Sequence, residues 1–133
     1  MDKQLRSVAS LLKSARRVLF VTGAGVSAES GIPTFRGTAA AFADGTTEEG
    51  VRFEDVLWQF QVQLEQGFEL VFSVGTTSIF EYVIRPVVMA RRAGIPTVEI
   101  NPEETGISDF VDFRFASKAG SILKGLLEAE RAL

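Results

Sequence analysis

Apolar residues recur along this chain in two rhythms, and the switches between them mark the elements. Over residues 3–17, Leu5, Val8, Leu12 and Ala15 fall on one stripe, which predicts an amphipathic helix. Val18 to Thr22 is a β-branched and aromatic run that predicts a first strand. Phe53, Val56, Leu57, Phe60 and Leu64 return to helical spacing, predicting a helix over about 54–66 that Gly67 stops. Phe68 to Val74 is a continuous apolar strand interrupted only by Glu69. Pro86 favours a first-turn position, so the next helix is expected to begin there and to end at Gly94. Strands follow at Thr97 to Ile100 and Phe113 to Ala116, with Ser117 as the cap of a closing helix that runs to about Ala132.

Strands that alternate with helices predict a layered α/β fold. The expectation is a Rossmann-like three-layer arrangement, with a reduced, mostly parallel sheet of about four strands flanked by helices. At 133 residues the chain suits one domain, residues 1–133. The segment 37–50, GTAAAFADGTTEEG, carries one large apolar residue, Phe42, and reads as a linker.

Composition narrows the partners. Fourteen Lys and Arg against seventeen Asp and Glu are scattered along the chain, giving a net charge of −3 and no basic footprint for nucleic acid or an anionic membrane. Without cysteine the chain can form neither a disulfide nor a thiolate metal site. Its charged first residues and the lack of any long apolar run lead to the expectation of a cytoplasmic protein with no membrane partner.

The chemistry concentrates where strands end. Val18–Thr22 delivers Gly23-Ala24-Gly25, and residues without a Cβ let a phosphate or ribose approach the main chain. Ala28 completes the G-x-G-x-x-G/A pattern of dinucleotide loops. Gly75-Thr76-Thr77, Asn101 and Ser117-Lys118-Ala119 close the other three strands. In a parallel sheet these ends face one crevice, the usual ligand position. Tight strand-to-helix turns favour Gly, Thr, Asn and Ser for geometric reasons too, so the three later ends carry less weight than the glycine loop. Asp44 has the spacing of a ribose-binding carboxylate but lies in the linker, and reads as a solvated side chain.

The run GAGVSAESGIPTFRG at 23–37 resembles the cofactor loop of the sirtuins, the NAD-dependent protein lysine deacylases. Residues 68–115 resemble that family's GTS turn and its following I/L-N-P strand, so the likeness covers 5–37 and about 51–127. It implies a site for NAD or ADP-ribose. By this match Gly23, Ala24, Gly25 and Ser27 belong to the cofactor loop. Ala24, Ile32, Pro33 and Phe35 line the nicotinamide-ribose pocket, and Arg36 orders the loop and faces the phosphates. Gly75, Thr76 and Thr77 meet phosphate or ribose, Asn101, Pro102 and Glu103 meet the adenosine ribose, and Ala119 meets the adenine. Phe35 as a core residue and Arg36 as one half of an ion pair are the plainer alternatives.

The departures from the family lie between the two blocks. The catalytic histidine, the Q-N-x-D strand and the four zinc-binding cysteines have no counterpart, and 37–50 stands where that module is expected. Glu54 in VRFEDVL, 51–57, replaces a glycine of the family's peptide-supporting segment. Losing a general base typically lowers a rate by about 10²–10⁴. A surface carboxylate such as Glu48 or Glu49 is a candidate replacement, but both read as solvated linker residues. The resemblance therefore implies an NAD-binding domain without zinc and with weak or absent deacylase activity. The alternative is a non-enzymatic scaffold or dimerisation module, pairing through an uncovered edge at Val18–Val21.

Overall fold

The computed structural model describes residues 2–22, 62, 67–76 and 81–133, with the side chains of 81–83 left out. The expected linker at 37–50 and helix at 54–66 lie outside the described residues, Val62 aside.

The chain opens with α1, Lys3–Ser14, whose N-cap Asp2 accepts the Gln4 amide at 3.0 Å. The helix ends three residues before the expected 17, and the sheet is the reason. Ala15 turns extended, the Arg16 amide donates to the Glu69 carboxylate, and the Arg17 carbonyl accepts the Glu69 amide, both at 2.9 Å. Those bonds start the alignment of β1, Val18–Thr22, with β2, Leu70–Val74. They also explain why β2 begins at Leu70 and not at Phe68. Glu69 is committed to Arg16 and Arg17, and Phe68 lies under the Arg17 guanidinium, 5.1 Å from the ring centroid.

Helix α2, Glu81–Arg92, corrects the expected start at Pro86. Proline lacks the amide that would bond the carbonyl four residues earlier, which usually ends a helix. Here Ile84, in the turn before the proline, packs on the same cluster as the fully buried Val87 and Ala90 after it, and this shared packing holds the helix across the gap. It does end near Gly94, at φ 76. β3, Thr97–Ile100, and β4, Phe113–Phe115, precede α3, Ala119–Arg131. The cap of α3 is Lys118 and not Ser117; an ammonium cannot accept an amide hydrogen bond, so there is no side-chain capping bond, and the Ser117 hydroxyl lies 3.1 Å from that of Ser121.

All described strands are parallel and stand in chain order, β1-β2-β3-β4. The two interior strands, β2 and β3, are buried at every residue, as a parallel sheet covered on both faces requires. Leu70, Phe72, Val74, Val98, Ile100 and Phe115 meet Val8 and Ala9 of α1 and Leu126 and Ala129 of α3 on one face. On the other, Val71 meets Val87 and Ala90 of α2 and Ile107. The result is the three-layer Rossmann-like arrangement, its core split by the sheet into two apolar clusters.

Candidate functional site

The carboxyl ends of three strands converge. Gly75 follows β2 at φ 65, a conformation that favours glycine, and its amide donates to the Ile100 carbonyl at 2.9 Å. Thr76 is buried next to it, and its carbonyl accepts the Asn101 side-chain amide at 2.8 Å. The Asn101 main-chain amide donates to the Phe115 carbonyl at 3.0 Å, and its side-chain oxygen accepts the Glu103 amide at 3.0 Å. A single buried side chain thus links the turn after β2, the end of β3 and the loop that follows. Among the described residues, one side-chain N–H and one side-chain lone pair of Asn101 are not used by these bonds.

Of the residues singled out in the sequence, Gly75, Thr76, Asn101 and Glu103 are brought into this one bonded group. Pro102 and Glu103 are exposed at its rim, and Ala119 is buried at the start of α3, just after the neighbouring β4. Gly23, Ala24, Gly25, Ser27, Ile32, Pro33, Phe35, Arg36 and Thr77 lie outside the described residues, as do Glu48 and Glu49. Thr22, the last residue of β1, is paired with Val74, the last of β2, so the two strands end level with each other just before Gly75.

Behind the rim lies a polar row that the sequence reading passed over. The ladder sets Ser73 beside Glu99 and Glu99 beside Arg114, all on the α2 face of the sheet. Glu99 is fully buried. Its carboxylate accepts the Ser108 hydroxyl at 2.6 Å, the Arg114 Nε–H at 3.2 Å and the Thr105 hydroxyl. Such a charge stays buried only when paired and hydrogen-bonded. Ser73 is also fully buried, but its Oγ has no hydrogen-bond partner among the described residues. The sequence signal for both was available: one Glu in TVEI and one Ser in LVFSV, each polar in a strand that is otherwise built for burial.

An open depression of about 510 Å³ lies at the opposite end of the strands, between Leu11, Ile95, Pro96 and Phe113. It is remote from every strand end that carries the glycine and asparagine residues. Among the described residues no group of three or more His, Cys, Asp or Glu side chains is placed to hold a metal ion. Also among them, no helix is long and apolar enough to cross a membrane.

Comparison with known proteins agrees with this geometry. No family model matches the chain. It is 37% identical over 78 residues to NAD-dependent protein deacylase 2 of Pseudomonas aeruginosa, covering 55% of this chain and 30% of that protein. A shorter stretch of 32 residues, 24% of this chain and 13% of the other, is 66% identical to an NAD-dependent protein deacylase of Deinococcus radiodurans. The chain spans about a third or less of the length of relatives such as these, 32% in the case of the Methylococcus capsulatus deacylase. Among solved structures, a Sir2 homolog–NAD complex superposes with a TM-score of 0.73 at 16% identity, over 99% of this chain and 95% of that one. A Sir2 protein bound to a myristoylated histone peptide gives 0.69 at 12% identity, over 99% and 98%. At such identities the superpositions speak for the fold alone.

Proposed function

We propose that the chain is a sirtuin-family domain that binds NAD(+) or ADP-ribose, with weak or absent deacylase activity. The observation that carries the reading is the pairing of Thr22 with Val74, which ends β1 level with the turn that carries Gly75 and Thr76, where Asn101 is bonded. Bare amides at the glycine segment suit the pyrophosphate, and the spare bonding capacity of Asn101 suits a ribose hydroxyl. In this reading Ala24, Ile32, Pro33 and Phe35 line the nicotinamide-ribose half, Ser27 belongs to the cofactor loop, and Arg36 orders that loop and faces the phosphates. Thr77, Pro102, Glu103 and Ala119 complete the adenosine half.

Catalysis is where this chain departs from its relatives. Histidine is absent from the sequence, so the family's ribose-hydroxyl base is not supplied by this chain, and with no cysteine the family's zinc ligands are not supplied either. We place residues 37–50 as the linker that stands in for that module, and the protein in the cytoplasm with no nucleic-acid or membrane partner. Isothermal calorimetry with NAD and with ADP-ribose tests the reading. Both are expected to bind, with nicotinamide adding little affinity. Heat from neither, at saturating concentrations, would refute it.

A second reading is favoured by Phe20. It stacks on Phe72 at 4.7 Å between ring centroids, yet remains 47% exposed on β1, an edge strand among those described. Val18–Thr22 carries no charge or proline to discourage pairing. In this reading the chain is a non-enzymatic module that forms a homodimer through that edge. Light scattering with and without ADP-ribose separates the two. A dimer indifferent to nucleotide, together with silent calorimetry, supports the scaffold.

A further inference from the structure

The loop from Asn101 to Ser108 leaves β3 at the candidate nucleotide site and returns toward β4. At one end Asn101 holds it to Thr76 and to the Glu103 amide. At the other, two of its hydroxyls, Thr105 and Ser108, are turned inward onto the buried carboxylate of Glu99. The same two residues close the loop on itself, since the Thr105 amide donates to the Ser108 hydroxyl at 2.8 Å and the Ser108 amide to the Thr105 carbonyl at 3.2 Å. Between these anchors Pro102, Glu103 and Glu104 are exposed. Arg114 of β4 reaches Glu99 from the far side at 3.2 Å. A carboxylate so deeply buried depends on such donors, and the same bonds tie the Thr105–Ser108 end of the loop to the sheet.

We propose that Glu99 is a positioning residue for the nucleotide site: its carboxylate, gripped by Thr105 and Ser108, fixes where the 101–108 loop presents Pro102 and Glu103 to the adenosine ribose. The inference rests on the nucleotide-binding reading above. Glu99 itself reaches no ligand. It acts through the loop, and the loop's hydroxyls report on it.

The test uses Thr105→Val, which removes a single donor to Glu99, and Thr105→Ser, which keeps the hydroxyl. Two readouts are taken on the full chain: ADP-ribose affinity by calorimetry and amide hydrogen exchange over residues 102–108. Thr105→Val is expected to weaken ADP-ribose binding about tenfold and to speed exchange in the loop, because a lost bond to a charged group is worth that much. Thr105→Ser is expected to restore both. Should Thr105→Val fail to fold, Ser108→Ala removes the other hydroxyl and carries the same expectation. Wild-type binding with unchanged affinity in a folded Thr105→Val or Ser108→Ala variant would overturn the positioning role while leaving the nucleotide site standing. A wild-type chain that binds no ADP-ribose overturns the nucleotide reading, and the positioning role with it.

Discussion

The side-chain amide of Asn101 donates to the main-chain carbonyl of Thr76 across 2.8 Å, twenty-five residues apart in sequence. This one bond ties the end of β3 to the turn after β2. It is buried, so its geometry does not depend on a ligand being present to order it.

Asn101→Asp keeps an acceptor for the Glu103 amide but sets a carboxylate oxygen against the Thr76 carbonyl. An unpaired buried acceptor costs about 1–3 kcal/mol, and the added charge raises that. The variant is expected to unfold at lower urea concentration with an unchanged m-value. Stability equal to wild type would show that the Asn101–Thr76 bond contributes nothing.

Gly75 and Gly94 both adopt positive φ, 65 and 76, but only Gly75 adjoins the candidate site. Placing alanine in this conformation costs about 1–2 kcal/mol. Gly94→Ala has open space for its Cβ and should lose stability only. Gly75→Ala should lose a similar amount and, in addition, weaken ADP-ribose binding. Calorimetry on both variants checks this, and equal affinities would remove Gly75 from the site.

Ser73 is a buried hydroxyl without a partner among the described residues. Removing an unsatisfied buried polar atom relieves its desolvation, worth about 1 kcal/mol after the small void left behind. Ser73→Ala is therefore expected to melt at a higher temperature than wild type. A lower melting point would mean that the hydroxyl is bonded, as by a buried water.

At the other end of the sheet, Asp112 accepts the Thr97 amide at 2.9 Å and the Thr97 hydroxyl at 3.1 Å, and it pairs with Arg91. Thr97 is fully buried, whereas the Arg91 side chain is 45% exposed. Asp112→Ala leaves the Thr97 amide unpaired and should cost about 2 kcal/mol. Arg91→Ala removes a solvated ion pair and its contact with Phe110, and should cost less than about 1 kcal/mol. Neither should change ADP-ribose affinity. Denaturant titrations that reverse this ranking would place the weight on the ion pair instead.

Most of the layered arrangement was legible because it follows from short-range pattern. Val18–Thr22 and Thr97–Ile100 form strands at the expected bounds, and Gly94 turns the chain after its helix, since β-branched runs and a glycine stop act locally. The strand ends that carry Gly75, Thr76 and Asn101 could be matched to one crevice as soon as the sheet was taken as parallel. Pro86 was misleading for the opposite reason. Its local effect is to end a helix, and the packing of Ile84 before it on the same cluster as Val87 and Ala90 after it explains why the helix spans it.

The sequence by itself determined the alternation of strands and helices, the glycine segment after the first strand, and the absence of histidine and cysteine. The tertiary structure alone decided the strand order, which brings Thr22 next to Val74 and Asn101 next to Thr76. It alone made Glu99 a gripped, buried charge and not a surface one. Backbone propensity and hydrophobic period are properties of neighbouring residues, so they can be read along a chain. Whether a polar side chain in a strand finds donors depends on residues of another strand or loop, and those meet only when the sheet has formed.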